Sequence, residues 1–271
     1  MQLSDVASLP GSVCVVQLTD SHLFADAQQR LLGIDTLASL NAVIDLMQSE
    51  CADVDLVLAT GDITQDGSPG GYQRFIEAVS RLPQPCHWIP GNHDDAVLMN
   101  ELGTGHDLNR AWVDIGGWRI VLLDSSVPGH VHGYLEADQL ARLDEALDSA
   151  GSQHVLVCLH HHPVPIGSDW MEPLGLQNAD QLLNRLDTDP RVRAVLWGHI
   201  HQQLDQQRGT LRMLASPSTC VQFAVASSDF ATDNQAPGYR WLRLYDDGRL
   251  ETAVSRLPHD GFTPDAGASG Y

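Results

Sequence analysis

The stretch "RAVLWGHIHQ" (residues 193–202) is an apolar run of strand length that stops at a glycine and two histidines one residue apart. The same grammar recurs along the chain. Apolar runs end in chemistry-bearing residues at "VCVVQLTDSH" (13–22), "DLVLATGDI" (55–63), "CHWIPGNHDD" (86–95) and "HVLVCLHHHP" (154–163), and "WRIVLLD" (118–124) ends in an acid. Short continuous apolar runs read as strands buried on both faces, as in parallel sheets. Helical patterns lie between them: "TLASLNAVIDLMQSE" (36–50), "GGYQRFIEAVSRL" (70–82), "EADQLARLDEALDSA" (136–150) and "NADQLLNRLDTD" (178–189). In the third, Leu140, Leu143 and Leu147 form one stripe behind an acidic first turn. Strands alternating with helices predict an α/β fold. After residue 201 the pattern changes to hairpins with Arg-Gly and Asp-Gly turns, and the tail "HDGFTPDAGASGY" reads as irregular. No repeat or linker divides the chain, so one domain spanning 1–271 is expected, with its core at about 13–257 and an irregular tail at 258–271.

Composition narrows the class. A chain of 271 residues can bury a sizeable core. No apolar run approaches the roughly 20 residues that cross a bilayer, and the start "MQLSDVASLPGSVCVVQLTD" lacks the basic and apolar regions of a secretory signal. The five cysteines are scattered, without Cys-x-x-Cys spacing, which points to reduced core thiols and a cytoplasmic location. A net charge of −20, with all fifteen basic residues arginine, argues against a nucleic-acid or anionic-membrane surface. An acidic, lysine-free surface also fits a cytoplasm of high salt.

Loops at the carboxyl ends of strands line one crevice in α/β sheets. The five polar loops should therefore converge, and their Asp, Asn and His side chains suit a pair of metal ions. In extended backbone, residues i and i+2 share a face, so Asp20 and His22, and likewise His199 and His201, are expected to present paired ligands. Two buried acids amid several imidazoles need cations to be tolerable.

The ordered blocks D-x-H, G-D, G-N-H-D, H-H and G-H-x-H, from Asp20 to His201, resemble the calcineurin-like metallophosphoesterase superfamily. The resemblance implies a four-layer α/β/β/α sandwich of two mixed β-sheets flanked by helices. It implies two divalent metals, Fe and/or Mn with Zn as an alternative. Asp20, His22 and His201 would hold one, Asn92, His161 and His199 the other, with Asp62 bridging. His160 is the alternative to His161. The second Gly-His-x-His copy, "VPGHVHGY" (127–134), leads into a helix, so His130 and His132 are read as loop residues, with His132 able to reach a substrate.

Two such metals, roughly 3.5–4 Å apart, would activate water and clamp phosphoryl oxygens. By the same resemblance His93 is the catalytic acid or stabiliser of the leaving oxygen, and His22, Asp62, Asn92, His93 and His201 contact the substrate phosphate. The blocks "LTDSHLF", "LLGIDT", "LATGDITQDGS", "CLHHHPVPIGSDW", "SPSTCVQF" and "APGYRWLRL" are similar to bacterial class III 3′,5′-cyclic-AMP phosphodiesterases. The implied reaction is hydrolysis of the second messenger cyclic AMP to 5′-AMP. The alternatives are a broader phosphodiesterase or phosphomonoesterase, acting on glycerophosphodiesters or 2′,3′-cyclic nucleotides, or a metal-free protein-binding scaffold. The residues carry no signal for oligomeric state.

Overall fold

The computed structural model describes residues 11–258 and 261–265. The chain begins β1 (Ser12–Leu18), α1 (Thr36–Glu50), β2 (Leu56–Thr60), α2 (Pro69–Val79), β3 (Cys86–Ile89) and α3 (Ala96–Thr104). It continues with β4 (Trp112–Ile115), β5 (Trp118–Leu122), α4 (Ala137–Ser149), β6 (His154–Cys158), α5 (Ala179–Thr188) and β7 (Val192–Trp197). The last third is strand: β8 (Leu204–Arg208), β9 (Leu211–Ala215), the short pair β10 (Gln222–Phe223) and β11 (Thr232–Asp233), then β12 (Gly238–Tyr245) and β13 (Leu250–Arg256).

Two mixed sheets result. One has the order β13-β12-β1-β2-β3, the other β4-β5-β6-β7-β9-β8. Within the first, β1, β2 and β3 run parallel; within the second, β5, β6, β7 and β9 do. Alternation along the strands builds three apolar layers. Val15, Leu56 and Leu58 meet Trp118, Ile120, Leu156 and Leu196 between the sheets. Val16, Leu18 and Val57 face Leu40, Ile44, Tyr72 and Phe75 of α1 and α2. Val121, Val157 and Val195 face Leu140, Leu143, Leu182 and Leu186 of α4 and α5. Each central strand is thus covered on both faces, which is why it reads as an uninterrupted apolar run. The layers stack as α/β/β/α, the expected sandwich.

One buried arginine ties the sheets together. Arg240 of β12 donates to the carbonyls of Ala215 at 2.7 Å and Leu204 at 3.1 Å in the other sheet, and to Ser216 Oγ at 3.1 Å.

Beyond the short pair β10 and β11, two further elements were not anticipated. β4 is four residues long and pairs antiparallel with β5 across a Gly116–Gly117 turn, too short to show a pattern. In α3 only Met99 and Gly103 are buried and Val97 is largely exposed, so its apolar period is weak. The expected signal-free start falls largely on residues 1–10, and most of the expected tail on 259–260 and 266–271, outside the described residues. Among the described residues no helix is long and apolar enough to cross a membrane. All five cysteines are buried and free.

Candidate metal centre

The parallel strands β1, β2, β3, β6 and β7 bring their carboxyl ends to one edge of the sandwich. From there follow, in the same order, Asp20 and His22, Asp62, Asn92 and His93, His160 to His162, and His199 and His201. Extended backbone is not what pairs the ligands, however. Asp20, His22, Asp62, His199 and His201 all sit in the left-handed region, with φ of 55°, 46°, 49°, 65° and 49°. Non-glycine residues avoid this region, and a cluster of them persists only where surrounding contacts over-determine it. Here each loop holds the next. Asp20 N donates to the Gly61 carbonyl at 3.0 Å, His22 N to the Asp62 carbonyl at 2.9 Å, and His199 N to Asp20 Oδ1 at 3.0 Å. The expected same-face alternation is therefore replaced by left-handed turns that aim both residues inward. Gly91 has no substitute: a Cβ there would lie 2.1 Å from Asp62 Oδ1.

Most of the rings share one orientation. Nδ1 of His22 faces Gln65 Oε1 at 2.7 Å, Nδ1 of His160 the Thr60 carbonyl at 2.8 Å, and Nδ1 of His201 the Val221 carbonyl at 2.8 Å. A carbonyl only accepts, so Nδ1 carries the hydrogen and the Nε2 lone pair points inward, the arrangement of a histidine ready to bind metal. The inward atoms crowd together. His22 Nε2 lies 3.2 Å from His201 Nε2 and 3.7 Å from Asp62 Oδ2. His201 Nε2 is 3.4 Å from Asp20 Oδ1, and His160 Nε2 is 3.2 Å from Asp62 Oδ2 and 4.0 Å from Asp20 Oδ1. His199 Nε2 and Asn92 Oδ1 are buried without a hydrogen-bond partner. Orphaned, converging lone pairs of this kind are costly unless a cation joins them, and a nitrogen–oxygen donor set suits first-row divalent metals. Among the described residues the donors fall into four overlapping groups: Asp20 with His22 and His201, Asp20 and Asp62 with His160, His22 and Asp62 with His93, and His160 and His161 with His199.

In the fourth block the hydrogen bonds separate His160, the expected alternative, from His161. His161 lies beside His160 and His199, but both its nitrogens are spent: Nδ1 on Ser125 Oγ at 2.8 Å, Nε2 on the Val131 carbonyl at 3.1 Å. The strand end turns His160, not His161, toward Asp62 and Asp20. His160 and His161 both stand, with His199, in one group that could hold a metal.

Charge follows the same logic. Burial pushes the His22 and His199 rings well below the ordinary histidine value, Asp62 only partly offsetting this for His22, while neighbouring imidazoles add to it for His199. Burial would also push the Asp62 carboxyl up, yet His160 and His93 hold it well below the usual range. His160 is the exception among the rings. Burial opposes its charge, but Asp62 and then Asp20 raise it to about 9. In the metal-free site the cation that balances Asp62 is His160.

Several site residues have no signature of their own in the sequence. Gln65 holds two rings, accepting from His93 Nδ1 through its carbonyl at 3.1 Å as well as facing His22. Asp94 accepts from Gly91 N, Ile63 N and Thr64 N at 2.9–3.1 Å, tying the loops after β2 and β3; burial and then Asp62 raise its carboxyl to about 6. Ser218 of "SPSTC" donates to the Asp20 carbonyl at 2.7 Å, which makes that segment a clamp on the first loop. Asp94, the acid of the "GNHD" block, was legible beside His93 as a supporting residue; only adjacency to the "GDI" block could have flagged Gln65. His93 and Asn92 are half-buried at the mouth. His130 is exposed and His132 half-buried, their rings 4.8 Å apart, outside the cluster. His87 and His154 lie on β3 and β6 away from it, and His259 lies outside the described residues.

Comparison with known proteins identifies the family. The chain is 55% identical to the 3′,5′-cyclic adenosine monophosphate phosphodiesterase CpdA of Pseudomonas aeruginosa, over 99% of this chain and 98% of that one. It is 43% identical to the protein of the same name from Escherichia coli K12, over 96% and 95%. A 3′,5′-cyclic-nucleotide phosphodiesterase of Nostoc is 40% identical over 91% and 93%. Among solved structures, a dimetal phosphatase from Danio rerio superposes with a TM-score of 0.63 at 16% identity, covering 91% of this chain and 99% of that one, a likeness of fold. The family model for calcineurin-like phosphoesterases matches residues 15–203, the span that carries every inward-facing donor of the cluster. The chain belongs to the calcineurin-like phosphoesterase family.

Proposed function

We propose that this protein hydrolyses 3′,5′-cyclic AMP to 5′-AMP and so lowers the level of that second messenger. The observation that carries the reading is identity of 55% along the whole chain to a cyclic-AMP phosphodiesterase, laid over an intact cluster of inward-facing donors. Asp20, His22 and His201 would hold one divalent cation, and Asn92, His160 and His199 the other, with Asp62 between them. Fe or Mn suits this mixed set, with Zn as the alternative. When bound, the two cations supply Lewis acidity at the phosphoryl oxygens and activate water.

The chain's own residues supply the rest. Asn92 and His93, half-buried, mark the side from which a diester would enter. Formation of 5′-AMP breaks the P–O3′ bond, so the departing 3′ oxygen gains a proton. His93 is held for this task from two directions: its backbone N–H donates to Asp62 Oδ1 at 2.9 Å, and its Nδ1 is committed to the Gln65 carbonyl. With Nδ1–H used there, only the doubly protonated ring has a proton to give from Nε2. His22, Asp62, Asn92 and His201 complete the phosphate contacts. A cytoplasmic setting suits the five free, buried thiols.

The test is product analysis of Mn- or Fe-reconstituted protein with cyclic AMP, with His160→Ala as control. Accumulation of 5′-AMP, absent in the variant, is the expected result. Release of 3′-AMP would refute the product assignment, and cleavage of a generic aryl phosphodiester with cyclic AMP left intact would refute the substrate assignment.

A further inference from the structure

The second Gly-His-x-His segment is tied to the metal centre by one buried ring. The segment begins with a turn in which His130 N donates to the Val127 carbonyl at 3.0 Å. It ends with Gly133 N donating to the Gly175 carbonyl at 3.2 Å, Gln177 N donating to the Gly133 carbonyl at 2.8 Å, and Tyr134 N donating to the Ser125 carbonyl at 3.0 Å. Between these ends, the Val131 carbonyl turns inward to His161 Nε2 at 3.1 Å, while the Val131 side chain stays 48% exposed. The other side of the His161 ring meets Ser125 Oγ, which also accepts the backbone N–H groups of His160 and His161 at 3.3 Å each. Ser125 thus uses its one hydrogen and both lone pairs, and His161 both its nitrogens. The fit leaves no slack. A Cβ at Gly133 would lie 2.4 Å from His161 Cγ, so the loop backbone rests on the ring. The opposite face of the contact is the site itself, since the His161 and His199 rings are 4.7 Å apart.

We propose that His161 is a positioning residue that holds the 127–134 loop at the rim of the metal centre, so that the half-buried His132 meets the part of the substrate projecting from it. The substrate half of this inference rests on the phosphodiesterase reading above; the loop half stands on the hydrogen bonds alone. A ligand role for His161 would require breaking its bond to Val131 or to Ser125. As a strut it keeps both, and the loop that carries His132 stays packed against the ring that borders His199, where His132 would meet the ribose or leaving oxygen of a phosphodiester.

Three variants of the metal-loaded protein test this: His161→Ala, His161→Gln, which returns an amide N–H toward the Val131 carbonyl, and Gly133→Ala, whose Cβ would press on Cγ and Nδ1 of the ring and so lift the loop while His161 is retained. Metal content, backbone hydrogen exchange across 127–134, and the KM-against-kcat split for cyclic AMP are measured. For His161→Ala the expected result is full metal content, exchange at Gly133 and Tyr134 faster by about tenfold or more, and KM raised about tenfold with a smaller change in kcat. His161→Gln restores slow exchange and KM, and Gly133→Ala repeats the His161→Ala pattern. Loss of one metal equivalent in His161→Ala would make it a ligand and overturn the proposal, as would unchanged exchange in the loop. Should the wild type fail to hydrolyse cyclic AMP, the functional reading falls, while exchange and metal content still decide the strut.

Discussion

His160 is the residue on which the site's charge turns. Its Nδ1 is fixed by the Thr60 carbonyl and its Nε2 lies between two carboxylates that raise its value to about 9. Proton and cation compete for one lone pair, so below about pH 9 a proton must leave before metal binds. Metal affinity should therefore fall about tenfold per unit as pH drops from 8.5 to 6.5, with about one proton released per ion taken up at this site. Titration calorimetry in buffers of different ionisation enthalpy reads both numbers, and a pH-independent affinity would contradict the assignment. At the mouth, His93→Ala should keep its metals, because its Nδ1 is committed to the Gln65 carbonyl, yet lose about 10²–10⁴-fold in kcat. Metal analysis beside steady-state kinetics separates those outcomes.

Between elements, two adjacent acids after β3 do different work. Asp94 is a knot between loops, accepting from Gly91, Ile63 and Thr64 N–H groups. Asp94→Ala would strand those donors, and a loss of about 2–3 kcal/mol with reduced metal content is expected from chemical denaturation and metal analysis. Asp95 only caps α3, accepting from Val97 N and Leu98 N at 3.0 Å. Asp95→Ala should cost about 1 kcal/mol and leave metal content unchanged. If both variants behaved alike, the distinction between knot and cap would fail. The pair was visible as "HDD" in the sequence, but nothing local to it separates the roles; the first depends on a loop thirty residues upstream.

At the scale of the molecule, the sandwich is held by apolar layers and by Arg240 reaching from one sheet to the other. Arg240→Leu leaves the Ala215 and Leu204 carbonyls without their donor, and a loss of about 2–4 kcal/mol in urea denaturation is expected. The metals should act as a third fastener. The cluster ties loops from both sheets, so a cation bound about a thousandfold above its dissociation constant adds about 4 kcal/mol. Chelation should lower the melting temperature by about 10 °C, and readdition of Mn should restore it. An unchanged melting temperature would mean that the ions do not join the sheets.

The sequence by itself determined the architecture and the identity of almost every donor. Strands buried on both faces must be continuous apolar runs, and polar residues can follow them only at the sheet edge, so "LTDSH", "ATGDI", "PGNHD", "CLHHHP" and "WGHIH" were legible as one site. Tertiary structure alone decided which of three consecutive histidines faces the carboxylates, that left-handed turns and not strand alternation aim Asp20 with His22 and His199 with His201, and that Gln65, Ser125 and Ser218 support them. The reason is physical. A strand's apolar period is a local property written in neighbouring residues, whereas the direction of a ring at a strand's end is set by where distant carbonyls, hydroxyls and acids come to lie once the two sheets have packed.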